Sequence, residues 1–179
     1  MTGKDIQNDL IARLTPMMAD GLIHREWSIR AGADDVFADV DAYAPRLDIA
    51  LGPFNTTFGR RHEDAEIIRQ FRSPLIEQLL NAIIDQNPHF YENNNPRCLV
   101  GIEVEYATSS KHILGGITNA GMLGMLGVVV GSPQLIGKVR RIHAYVQNLR
   151  QVEKAPGEMF GNVGCFEHEE FLQLLADVG

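Results

Sequence analysis

CLVGIEVEYATSSKH, residues 98–112, is the stretch on which the fold turns. From Cys98 to Tyr106 it is dense in valine and isoleucine and predicts a β-strand through the middle of a sheet. Two carboxylates, Glu103 and Glu105, nevertheless stand in it two residues apart. Side chains alternate across a strand, so Leu99, Gly101, Glu103 and Glu105 are expected on one face. Cys98, Val100, Ile102, Val104 and Tyr106 fall on the other, which suits a core. The first face becomes acidic only towards the C-terminal end of the strand.

The neighbouring segments extend this strand into a sheet. KHILGGITNAGML (111–123) predicts a helix held close to the sheet by its glycines, and GVVVGS (127–132) a β-branched central strand. Two strands joined through a helix are expected to be parallel neighbours with a right-handed crossover. PQLIGKVRRIHAYVQNL (133–149) reads as an amphipathic helix with Leu135, Val139, Ile142, Val146 and Leu149 inward. An edge strand is expected within 157–164 and a last helix in EHEEFLQLLADV (167–178).

Upstream, Ile6, Leu10, Ile11, Leu14, Met17 and Met18 mark a helix over 5–18 that Gly21 ends. HREWSIRAG (24–32) and RLDIALGPF (46–54) read as strands, the second stopped by Gly52 and Pro53. HEDAEIIRQF (62–71) and SPLIEQLLNAIIDQN (73–87) read as helices, the second opened by Ser73 and Pro74, and 87–97 as a loop. The expectation is a single α/β (α+β) domain over 1–179, a mixed central sheet flanked by helices.

Composition narrows the classes. The chain of 179 residues is 45% hydrophobic and 22% charged, the profile of an ordinary globular protein with one core. Cys98 and Cys165 stand far apart, so neither a disulfide framework nor a zinc knuckle is suggested. MTGKDIQNDLIARLTPMMAD carries acids where a signal peptide needs an apolar core, and a cytoplasmic protein is expected. The net charge of −7 argues against binding nucleic acid by bulk electrostatics, without excluding a local basic groove. Ile113–Gly137 lacks charge and is long enough for a membrane span. Its glycines, with Thr118 and Asn119, favour a buried helix followed by a buried strand, so no membrane partner is expected.

Strand 46–54 divides as the first strand does, with Leu47, Ile49 and Leu51 on one side and Arg46, Asp48 and Ala50 on the other. If the two strands pair, Asp48 meets Glu103 and Glu105 on one patch. Three neighbouring carboxylates raise one another's pKa, and a divalent cation removes that cost. Hard oxygen ligands suit Mg²⁺ or Mn²⁺. The competing explanation is a half-exposed strand whose solvated face carries two glutamates and needs no metal.

PRLDIAL, GIEVE, the following helix and GVVVGS together resemble the PD-(D/E)XK nuclease family, the restriction-endonuclease-like fold of many restriction enzymes and Holliday-junction resolvases. The resemblance covers Trp27 to Ser132, with Met1–Asp20 as the leading helix. It implies an α–β–β–β–α–β core, Mg²⁺ (or Mn²⁺) dependence and hydrolysis of DNA phosphodiester bonds. By resemblance Asp48 and Glu103 take the places of the family's two acids, and Glu105 the position usually held by lysine. Asp48, Glu103 and Glu105 would hold the metal, Glu105 would also orient or deprotonate the attacking water, and Lys111 would contact phosphate. A homodimer is implied, because two cuts in a duplex need two sites.

The chain departs from the pattern in its Pro45-Arg46-Leu47-Asp48 half-motif, in a helical insertion over 60–90, and in the missing lysine. The last departure and the acidic charge favour an alternative, a catalytically inactive relative serving as a binding or assembly module. Other candidates have plainer readings. Glu167, Glu169 and Glu170 around His168 suit a helix's first turn. Lys138, Arg140, Arg141, Arg150 and Lys154 form the best local phosphate patch, or the wet face of a helix. His112 and His143 stand alone, and the glycines of 115–131 lack phosphate-loop spacing.

Overall fold

The computed structural model of the chain describes residues 2–29, 44–56, 60–149, 152–154 and 159–178. Among the described residues six α-helices, α1 (Gly3–Leu14), α2 (Arg61–Gln70), α3 (Pro74–Gln86), α4 (Ser110–Leu123), α5 (Ile136–Gln147) and α6 (His168–Ala176), surround one sheet. Its strands are β1 (Ile23–Ser28), β2 (Arg46–Phe54), β3 (Cys98–Glu105), β4 (Gly124–Gly131) and β5 (Val163–Glu167), in spatial order β1-β2-β3-β4-β5. β1, β2 and β3 pair antiparallel, and β4 and β5 add on parallel to β3. The sheet is therefore mixed, as expected, with β3 at its centre and parallel to β4.

Local chemistry sets the helix ends. Thr2 accepts from Asp5 N–H while the Asp5 carboxylate accepts from Thr2 N–H, a reciprocal cap that opens α1. Ser73 caps α3, with Pro74 filling a first-turn position that needs no N–H. The sheet then has a core on each side. Ile6, Leu10 and Leu14 of α1, with Ile76, Leu79 and Ile83 of α3 and Phe171 of α6, pack on Ile49, Val100, Ile102 and Val128. On the opposite side Ile113 and Ile117 of α4 and Val139 and Val146 of α5 enclose Val129, Val163 and Cys165.

Several boundaries move. The uncharged run Ile113–Gly137 is divided among α4, β4 and the start of α5. No helix among the described residues is long and apolar enough to cross a membrane. β4 begins at Gly124, earlier than its valine run suggested. The strand expected within 157–164 is β5 at Val163–Glu167, because Gly161 and Asn162 form a turn. Asn162 Nδ2 reaches the carbonyls of Gly121, Gly124 and Met125 and so ties that turn to the α4–β4 junction. Residues 157–158 and 30–32, included in the expected strands, lie outside the described residues. An irregularity between Leu51 and Phe54 in the β2–β3 register turns Cys98 to the same side as Leu123 of α4, away from Val100.

Candidate active site

Glu103 and Glu105 are inside the molecule. Every residue of β3 is buried, and the two acids are only 9% and 7% exposed. A solvated strand face therefore does not account for the pair. Both turn toward α4. Glu103 Oε1 accepts from Asn119 Nδ2 at 3.2 Å. Glu105 lies over Gly116, where a Cβ would stand 2.3 Å from its Oε1. The absent side chain of Gly116 makes room for the second carboxylate between helix and strand.

Asp48 approaches from β2 in a different way. The β2–β3 ladder runs as far as Ile49 opposite Ile102, and there the Asp48 side chain takes over from the backbone. Its Oδ2 accepts from Val104 N–H at 2.7 Å. The expected alternation over 46–51 breaks at this point. Leu47 packs with Ala50 and Leu123, whereas Ile49 and Leu51 join the core beneath α1. Asp48 lines a cavity of about 380 Å³ bounded by α1, by Arg25 and Glu26 of β1, and by Tyr106.

The three acids feel one another. Burial, followed by the Asp48 charge, pushes Glu103 up to about 9 and Glu105 up to about 7. Burial also raises Asp48, against the lowering effect of the Val104 N–H, and Glu26 adds to the rise. They do not form a closed cage: among the described residues no group of three or more His, Cys, Asp or Glu is placed to hold a metal ion. Mg²⁺ does not require one, since it is commonly bound by one or two carboxylates while waters and substrate phosphates fill the remaining positions. Asp48 and Glu103 use Oδ2 and Oε1 in the hydrogen bonds above, and their other oxygens are hard donors of the kind such an ion takes.

Two residues shape this site without having been expected there. Gln7 belongs to the buried face of α1 and donates through Nε2 to Asp48 O at 2.8 Å and to Glu26 Oε1 at 3.1 Å. A polar residue in line with Gly3, Leu10 and Leu14 was the available signal. Glu26, with φ of 49°, holds a left-handed backbone that costs a non-glycine residue about 1–3 kcal/mol. Its carboxylate also receives Arg46 Nη1 at 3.3 Å. In sequence it reads as an ordinary charge on an edge strand.

Lys111 is exposed in the first turn of α4 and does not line the cavity at Asp48. Lys138 reaches from α5 to donate to Thr108 O in the loop after β3. Arg140 pairs with Glu170 at 2.6 Å, and Arg150 lies outside the described residues. Glu167 and Glu170 form a capping box, so their helix-end reading holds. His168 is buried with Nε2 at 3.3 Å from Asp9 Oδ2, and His143 Nε2 is paired with Phe160 O at 2.9 Å. Cys98 and Cys165 are buried free thiols, the latter pushed up to about 12 by burial. Against known proteins, the chain matches no family model, no curated protein and no solved structure.

Proposed function

We propose that the chain is a divalent-metal-dependent deoxyribonuclease of the restriction or repair type, built on a restriction-endonuclease-like core and acting on DNA as a homodimer. The observation that carries this reading is the burial of Glu103 and Glu105 beside Asp48. None of the three has an ion-pair partner among the described residues. Buried carboxylates without a counter-charge are costly, and a cation held between Asp48 and Glu103 offsets that cost. The element order gives further support, since α1, β1, β2, β3, α4 and β4 follow the α–β–β–β–α–β sequence that the resemblance implies.

Asp48 and Glu103 are assigned as the metal's protein ligands. With Mg²⁺ or Mn²⁺ held there, the chemistry supplied would be polarisation of a phosphoryl oxygen and acidification of a water. Glu105, at about 7, takes up a proton near neutral pH, as a general base for that water must. Lys111, on the exposed turn that follows the acids, is the cation available for an adjacent phosphate.

The test is cleavage of duplex, nicked, branched and single-stranded DNA by the purified protein in Mn²⁺. At least one substrate is cut. Asp48→Ala and Glu103→Ala each abolish cutting, and Glu105→Gln slows it about 10²–10⁴-fold, the usual worth of a positioned base. Cleavage that survives both alanine substitutions removes the assignment. Metal binding with no cleavage of any substrate favours the inactive binding module, the reading to which the net charge of −7 and the missing lysine already point.

A further inference from the structure

The cavity beside Asp48 has a wall whose chemistry phosphodiester hydrolysis does not require. Tyr106, the residue after β3, is 66% exposed. Its ring is nevertheless backed by the protein: a Cβ at Gly3, in the first turn of α1, would stand 1.9 Å from Tyr106 Cδ1 and 2.7 Å from Cγ. One side of the ring thus lies against the α1 backbone, where only glycine leaves room for it, and the exposed remainder is presented at the cavity.

Lys4 and Arg25 line the same cavity. Lys4 has no carboxylate partner among the described residues, and Asn8 Oδ1 holds the Arg25 guanidinium. The wall's acids are partly answered already, Glu26 by Arg46 at 3.3 Å and Asp48 by the Val104 N–H. A backed aromatic ring and two cations around a space of about 380 Å³ match a flat base joined to a phosphate, and the volume lies within the range of small-ligand pockets. A base inside a duplex has both faces covered by its neighbours and cannot offer one to a tyrosine. An unpaired base can.

We propose that this cavity receives one unpaired nucleotide of a DNA strand, with its base stacked on Tyr106 and its phosphate held by Lys4 and Arg25, so that the strand enters the site beside Asp48. The proposal rests on the deoxyribonuclease reading for the nature of the strand, and it defines the substrate class as DNA carrying a frayed, overhanging or single-stranded end.

The experiment compares binding of a blunt duplex with that of duplexes bearing a one-nucleotide 3′ or 5′ overhang of 2-aminopurine. Ca²⁺ replaces Mg²⁺ for the binding measurement, and cleavage in Mn²⁺ is scored separately. One of the overhang duplexes binds about tenfold more tightly than the blunt one, the scale of a base–aromatic stack, and its fluorescence is quenched. Tyr106→Phe keeps both effects, whereas Tyr106→Ala binds blunt and overhang DNA alike and leaves the fluorophore unquenched. Equal affinities in the unaltered protein, a preference that survives Tyr106→Ala, or no binding of any duplex overturns the proposal. A protein that cleaves DNA but shows no overhang preference loses this pocket and keeps the nuclease reading. One that shows the preference and cleaves nothing does the reverse.

Discussion

Gly116 decides whether Glu105 can sit where it does, and a single methyl group tests this. A Cβ at position 116 would meet Glu105 Oε1 at 2.3 Å, and the obstructing atom is the end of a flexible side chain rather than backbone. Gly116→Ala therefore displaces the carboxylate without breaking α4, and alanine gains up to about 1 kcal/mol over glycine in a helix interior. The expected outcome is an unchanged or higher melting temperature together with a large loss of Mn²⁺-dependent cleavage. Full activity in that variant would mean that Glu105 takes no part. At this scale the sequence displayed the acids but not their surroundings. GIEVE shows two glutamates in a strand, yet a half-solvated strand and a fully buried one share that pattern when α4 is glycine-rich. What separates them is contact with Asn119 and Gly116, residues well beyond the strand itself.

At the scale of elements, periodicity read most of the chain correctly because its apolar residues lie on clear faces. β2 occupies Arg46–Phe54 as expected, and α3 and α6 fall within their expected spans. The misreadings come where a side chain or a turn replaces regular pairing. Asp48 substitutes for backbone at the end of the β2–β3 ladder, and the strict alternation of Leu47 with Ile49 fails there. Asn162 builds a turn where an edge strand was expected. The α2–α3 segment, expected as an insertion, places Leu75, Ile76, Leu79 and Ile83 in the principal core. Leu79 is fully buried, so Leu79→Ala is expected to destabilise the protein by about 2–5 kcal/mol in denaturant titration, like any core truncation. A loss well below 1 kcal/mol would mark the segment as an appendage that the sheet does not need.

For the whole molecule, the buried acids link stability to pH. From pH 4.5 to about 9 the unfolded chain releases the Glu103 proton while the folded chain retains it. The folded state then binds more protons, and stability falls as pH rises. Glu105, raised to about 7, and Asp48, also raised, act with the same sign. In EDTA the melting temperature is expected to decline across this window, and Glu103→Gln should flatten the decline and be the more stable protein at its alkaline end. Parallel curves for the two proteins would show that Glu103 ionises freely. Saturating Mn²⁺ should also stabilise the unaltered protein by mass action, and Glu103→Gln should lose that response. The most direct measurement of the central claim is anomalous diffraction from a crystal soaked in Mn²⁺. A peak bonded to Asp48 and Glu103 is expected at about 2.0–2.6 Å from their oxygens. A saturated crystal with no peak between these residues, or with its only peak elsewhere, would contradict it.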